Sequence, residues 1–326
     1  VLESILDQFK HSFKILDHTL FVTLSMGYSF YPVDATDPEM ILRNADTAMN
    51  QAKKMGYNQQ RYYESTMTDQ ATRHLTVHNG LIQALEKKEF VLYYQPQMDM
   101  KTGLMTGVEA LVRWQHPKDG IIAPAEFIPV AEDTGLIIQM GEWILRTACL
   151  QVKSWQNQGF PSLNVAVNLS SEQFKEQGFS ETVIKIIHET GLDPKYVELE
   201  LTESILVEDV DLVYKALNDF KKAGISLAID DFGTGYSSLS YLKHFPIDKL
   251  KIDRSFVTDI VRNENDSALV KAIISMAWAL GLRTIAEGVE TEEQFDFLKS
   301  EGCEEIQGYL VGRPLPAEQV QDLLKN

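Results

Sequence analysis

From Phe90 onward, short apolar runs alternate with longer stretches whose apolar residues recur at helical spacing, and the alternation continues almost to the end of the chain. Residues 91–97, 105–113, 164–169, 197–202, 226–230, 249–252, 284–286 and 305–310 have strand length and composition. Residues 138–158, 179–189, 210–223, 266–280 and 292–300 carry the one-sided apolar pattern of helices that bury a face. Strands separated by helices in this number predict an α/β chain closed into a (β/α)8 barrel rather than an open doubly wound sheet. Only a turn at residues 99–103 separates the first two strands. That is too short for a parallel crossover, so this pair is expected to be an antiparallel hairpin.

The chain before Phe90 follows another pattern. Residues 20–32 alternate like a strand, and 37–54 have helical spacing, with Pro38 in the first turn and Gly56 just past the end. A further helix is expected over 65–88, with Leu75, Leu81, Ile82 and Leu85 along one side. It reads as a domain-entry helix; pairing with a second copy is the alternative. The expected division is therefore 1–63, a linking helix 64–88 and a barrel 89–326.

Composition narrows the class of function. The chain has 326 residues, enough to bury a sizeable core, and no low-complexity tract. Its longest apolar stretch, 269–282, is broken by Lys271 and falls short of the roughly 18 residues that span a bilayer. Cys149 and Cys303 are far apart in apolar surroundings, which fits buried thiols in a reducing cytoplasm. The chain opens at Val1 without a signal peptide or initiator Met, the expectation being a piece of a longer protein, cytoplasmic or the cytoplasmic part of a membrane-anchored one. A formal charge of −17 argues against general nucleic-acid binding. An anionic substrate would need bound cations to reverse the local field.

The chemistry gathers where the predicted strands end. Ser226 to Tyr236 runs from an apolar strand into Asp230 and Asp231 and then a Gly-x-Gly turn. Two adjacent carboxylates admit two readings, a cation or phosphate site and a solvated turn with an Asx cap. The other strand ends supply Glu109, Asn168, Glu200 with Glu203, Lys251 with Asp253, Glu287 and Gln307. Barrel enzymes place their chemistry at this rim. As a set these residues favour a site over separate solvated loop residues. Oxygen donors without histidine fit Mg2+ or Mn2+ better than zinc; His116, His188 and His244 lack ligand spacing and read as surface or structural residues.

Thr23 to Gly27 together with Ala45 to Lys53 resembles the back half of a GGDEF, or diguanylate cyclase, domain; the half with the signature turn is absent, so no cyclase activity is implied. The motifs Glu109-Ala110-Leu111-Val112-Arg113-Trp114, Asn168-Leu169-Ser170, Glu200-Leu201-Thr202-Glu203, Asp230-Asp231-Phe232-Gly233-Thr234-Gly235, Lys251-Ile252-Asp253, Glu287-Gly288-Val289-Glu290 and Gln307-Gly308-Tyr309, in that order, resemble an EAL domain. That resemblance covers residue 75 to the end. It implies a modified TIM barrel with an antiparallel first strand and hydrolysis of cyclic di-GMP to linear pGpG.

It also implies roles. Glu109, Asn168, Glu200 and Asp230 would hold one cation; Asp230 would bridge to a second, held with the help of Asp231 and Glu287, directly or through water. Alternation along a strand sends adjacent side chains to opposite faces, so Asp231 needs the loop to bend before it can join them. Lys251 would orient or deprotonate the attacking water, an ion pair with the site acids being the alternative, and Gln307 would position water or phosphate. Glu203 would anchor the loop 231–238, Arg113 on the same face as Leu111 would grip a substrate phosphate, and Gln95, Leu111 and Asp253 would contact the dinucleotide. Glu290 is expected to cap the helix that begins at Thr291, support of the site acids being the alternative, and Trp114, Phe232 and Tyr236 to pack in the core, guanine stacking being the alternative. The family further implies a homodimer through the barrel and an upstream sensor domain. Three rivals remain: a silent cyclic di-GMP sensor, which would be expected to lack one of these ligands, a purely structural scaffold, which would leave the ring of carboxylates without purpose, and a protein kinase, suggested by Asp231-Phe232-Gly233. The kinase reading fails because no Gly-rich loop precedes a strand Lys and no His-Arg-Asp occurs.

Overall fold

The computed structural model describes residues 2–9, 12–16, 18–56, 58–235, 242 and 244–325. The chain forms two compact units, Val1–Gly80 and Leu81–Asn326. In the first, the helix Pro38–Lys54 starts at Asp37, whose side chain accepts from the Met40 N–H, with Pro38 at the position where a missing N–H costs nothing. The helix lies against the parallel pair Met26–Tyr28 and Gln60–Tyr62. A Cβ at Gly27 would meet the backbone of Ala45 and Met49 at 2.1 Å, so only glycine permits this approach. The strand expected over 20–32 is broken: His18–Leu20 pairs with Phe13–Ile15, and Met26–Tyr28 belongs to the other pair. The break falls at residues 21–25, where Phe21 is 82% and Val22 44% exposed, so the alternation there marks no buried face.

The helix Ser65–Lys87 contains the division between the units. The expected single apolar side does not hold: Leu81 and Ala84 are buried, while Leu75 and Ile82 face solvent.

The second unit is a closed barrel of β1 (Phe90–Asp99), β2 (Met105–His116), β3 (Asn164–Leu169), β4 (Val197–Thr202), β5 (Ser226–Phe232), β6 (Lys249–Ile252), β7 (Arg283–Ala286) and β8 (Glu305–Gln307). Each strand from β2 to β8 lies parallel to its sequence neighbour, whereas β1 runs antiparallel to both β2 and β8 and closes the ring. The short hairpin therefore reverses one strand without opening the barrel. Helices such as Leu136–Asn157, Phe179–Thr190, Val210–Lys222, Glu264–Leu280 and Glu292–Ser300 lie between the strands in the chain. Tyr94 of β1 meets Trp155 of the first of these helices at 5.3 Å, both fully buried. Among the described residues no helix is long and apolar enough to cross a membrane.

The period of two along each strand decides what fills the lumen. On β4, Val197, Leu199 and Leu201 belong to one face, and Glu198 and Glu200 to the other; on β6, Leu250 and Ile252 oppose Lys249 and Lys251. All of these residues are buried. A barrel lumen is ordinarily packed with branched apolar side chains. Here it carries two charged layers, one step of two residues apart.

Candidate active site

The lower layer is balanced. Lys249 Nζ lies 2.9 Å from Glu198 Oε1 and 2.7 Å from Glu305 Oε2, and Arg283 approaches Glu305 Oε1 at 3.3 Å. Two carboxylates face two cations.

The upper layer is not balanced. Lys251 Nζ is 2.8 Å from Glu200 Oε2, 3.0 Å from Asp230 Oδ1, 2.7 Å from Glu287 Oε1 and 3.8 Å from Glu109 Oε2. Carboxyl groups from four strand ends thus converge on one ammonium. Burial alone would push Lys251 toward the neutral amine, but Asp230, Glu109, Glu200 and Glu287 outweigh it and hold its pKa well above the usual lysine value. Desolvation and the neighbouring acids push Glu287 up to about 8, against the opposing pull of Lys251, and raise Glu200 well above the usual range. Glu200 Oε1 is buried without a hydrogen-bond partner among the described residues.

Amides hold the remaining acid. Asn168 Nδ2 donates to Glu109 Oε1 at 2.7 Å, and Gln307 Nε2 donates to Glu109 Oε2 at 2.5 Å. Gln307 is itself in reach of Gln95 Oε1, at 3.3 Å, and Gln95 Nε2 donates to the Gly312 carbonyl.

The loop after β5 brings in the adjacent carboxylate. Asp231 has φ 52°, left-handed for a residue with a side chain, and oxygens of Asp230, Asp231 and Glu287 all lie within 4.8 Å of one another. The bend that strand alternation demanded is present. Desolvation first, then Asp230 and Asp253, push Asp231 up to about 6. Glu203 Oε2 accepts from the Gly233 N–H at 3.2 Å, and a Cβ at Gly235 would stand 3.2 Å from the Glu203 carboxyl carbon, so Glu203 touches this loop. Tyr236 and the loop residues through Ser238 lie outside the described residues.

A cleft opens over this layer, walled by Gln95, Leu111, Arg113, Glu287 and Gln307 among the expected residues. Arg254, Tyr309 and Pro314 also line it and were not anticipated. Arg254 and Tyr309 could have been found, since one follows Asp253 directly and the other ends the Gln307-Gly308-Tyr309 motif. Arg313 stacks its guanidinium over the Tyr309 ring at 3.9 Å. Asp253 starts the short helix Arg254–Thr258, accepting from the Ser255 N–H at 3.0 Å.

One expectation is corrected. Thr291, not Glu290, caps the helix Glu292–Ser300, in a reciprocal capping box with Gln294, while Glu290 pairs with Arg254 at 3.4 Å. A hydroxyl fits the role in the usual way, and Glu290 lies one residue too early. Trp114 and Phe232 are buried, the former beside Phe90 and Phe127. His116 pairs with Asp119.

Residues 78–314 match the EAL domain family, and residues 1–59 match the family described as diguanylate cyclase, GGDEF domain. The bifunctional diguanylate cyclase/cyclic di-GMP phosphodiesterase MucR of Pseudomonas aeruginosa is 42% identical over 318 residues, 98% of this chain and 46% of that protein. The cyclic di-GMP phosphodiesterase PdeR of Escherichia coli is 38% identical over 313 residues, 96% of this chain and 47% of that protein. The chain therefore spans about half the length of these curated relatives. A solved structure, the PaMucR phosphodiesterase in a c-di-GMP complex, superposes with a TM-score of 0.73 at 46% identity, covering 75% of this chain and 99% of that one.

Proposed function

This chain belongs to the EAL domain family, and from that premise we propose that it hydrolyses one phosphodiester bond of cyclic di-GMP to release linear pGpG. The observation that carries the proposal is the unbalanced upper layer, where Glu109, Glu200, Asp230 and Glu287 crowd around the single ammonium of Lys251. Two residues lower on the same strands the charges are paired off. An excess of buried negative charge persists in a fold only where cations or protons offset it.

The donor set fits divalent cations. Its oxygens are hard, Glu200 Oε1 is buried without a partner among the described residues, and the Asn168 amide nitrogen is committed to Glu109, which leaves its carbonyl oxygen as the donor atom. Glu109, Asn168, Glu200 and Asp230 would hold one Mg2+ or Mn2+, and Asp230, Asp231 and Glu287 a second. Such ions supply Lewis acidity, offsetting phosphate charge and making water a better nucleophile near neutral pH.

The chain's own groups account for the rest. Arg113 and Arg254 on the cleft wall offer guanidinium groups to the phosphates of a dinucleotide. Lys251, within 3.0 Å of Glu200, Asp230 and Glu287, would orient the attacking water or take its proton. Gln307, held between Glu109 and Gln95, positions the same water or phosphate. Hydrolysis forms a bond from water oxygen to phosphorus and breaks the bond to the leaving ribose oxygen, which takes up a proton.

The same reading places the barrel in the cytoplasm, where its two buried free cysteines stay reduced, and pairs it as a homodimer. The test is pGpG release from cyclic di-GMP with Mg2+ or Mn2+ and its loss with a chelator. Binding of cyclic di-GMP without release under either cation would leave a binding module and overturn the enzymatic reading.

A further inference from the structure

Gln97 stands on β1 in direct register with Gln307 on β8 and with Gly107 on β2. Its side chain is buried, and Nε2 donates to Gln307 Oε1 at 2.9 Å. A carboxylate only accepts, so Glu109 requires Gln307 to face it with the amide nitrogen. That turns the Gln307 carbonyl toward β1, where a donor must meet it or a buried acceptor is left unsatisfied. Gln97 is that donor. Gly107 leaves the room: a Cβ there would stand 3.1 Å from Gln97 Oε1 and 3.0 Å from the Asn164 carbonyl.

We propose that Gln97 is a positioning residue for the phosphodiesterase reaction: by donating to Gln307 Oε1 it holds the Gln307 amide in the one orientation that clamps the Glu109 carboxylate. With Asn168 on Glu109 Oε1 and Gln307 on Oε2, both oxygens are fixed by amides. The antiparallel β1 makes the device, because it sets Gln95 opposite Glu109 and Gln97 opposite Gln307 on one strand. The catalytic part of this inference rests on the function proposed above; the orientation of Gln307 does not.

The test is a double-mutant cycle in the full chain with Gln97→Met, Gln307→Met and both together. Loss of an outer partner that orients a metal-site group typically costs about 10- to 100-fold in activity or metal affinity. Gln97→Met should therefore lower kcat by about tenfold with KM held within about twofold, and should weaken Mn2+ binding in calorimetry. In the Gln307→Met background it should add nothing further. Equal fold losses in both backgrounds would overturn the proposal, because Gln97 would then act independently of Gln307. A second arm follows the Gln307 side-chain amide by NMR in glutamine-labelled protein. Its signals should shift in Gln97→Met and in the near-isosteric Gln97→Glu, which keeps the proposal testable if the Met variant does not fold. Unmoved signals would overturn it. Absence of pGpG release by the wild type would sink the proposed reaction and, with it, the catalytic role of Gln97, while the NMR arm would still decide the orientation.

Discussion

Lys249 and Lys251 are two positions apart on β6, equally buried, and differ only in the company they keep. Lys249 is part of a closed set of charges, so Lys249→Met should leave Glu198 and Glu305 under-compensated and cost about 3–5 kcal/mol in urea unfolding. Turnover per folded molecule should stay within about twofold, since no group of the lower layer reaches the cleft. In the upper layer the balance of effects reverses. Glu109→Ala or Asp230→Asn should abolish pGpG release while far-UV circular dichroism and the melting midpoint remain near wild type, because each change removes negative charge from a site that has too much. Retained turnover in either variant would exclude the ligand set. These residues were legible in the sequence because each follows an apolar strand. Pro314 was not, because it stands outside every motif and a rim loop carries no periodic signal that marks the side facing a cleft.

At the scale of elements, loops rather than strands decide the shape of the rim. The left-handed backbone at Asp231 turns what would be an outward carboxylate toward Asp230 and Glu287, and the Gly233 N–H bonded to Glu203 fastens the bend. The turn after β8 docks on the loop after β7. Val289 N–H donates to the Gln307 carbonyl at 3.1 Å, and Leu310 N–H donates to the Val289 carbonyl at 3.0 Å. A Cβ at Gly308 would meet the Val289 backbone at 2.2 Å. Gly308→Ala should therefore push the two loops apart, lower stability by about 1–3 kcal/mol in thermal melts and displace Gln307, with a fall in kcat. The hairpin of β1 and β2 was predictable from the length of its turn alone. The broken strand in residues 20–32 was not, because alternation without a buried face is no sign of pairing.

For the whole molecule, the excess of acids in the barrel lumen makes cation binding and folding two sides of one equilibrium. A cation that binds only the folded state at a hundred times its Kd adds about 2.7 kcal/mol. Mn2+ should thus raise the melting midpoint of the wild type, and the rise should be largely lost in Glu200→Gln. We also expect residues 64–326, expressed without the first 63, to hydrolyse cyclic di-GMP with a kcat near that of the full chain, since every group of the proposed site lies beyond Gly80. Loss of turnover in a folded fragment would assign residues 1–63 a part in the activity. The order of apolar runs, the short first turn and the acids at the strand ends were properties of the sequence alone, because they follow from periods of two and 3.6 residues and from where polar side chains interrupt them. Which acids share an ammonium and that Gln97 faces Gln307 were settled only by closure of the barrel. Register across the ring brings together residues about two hundred positions apart, and no local pattern encodes that distance.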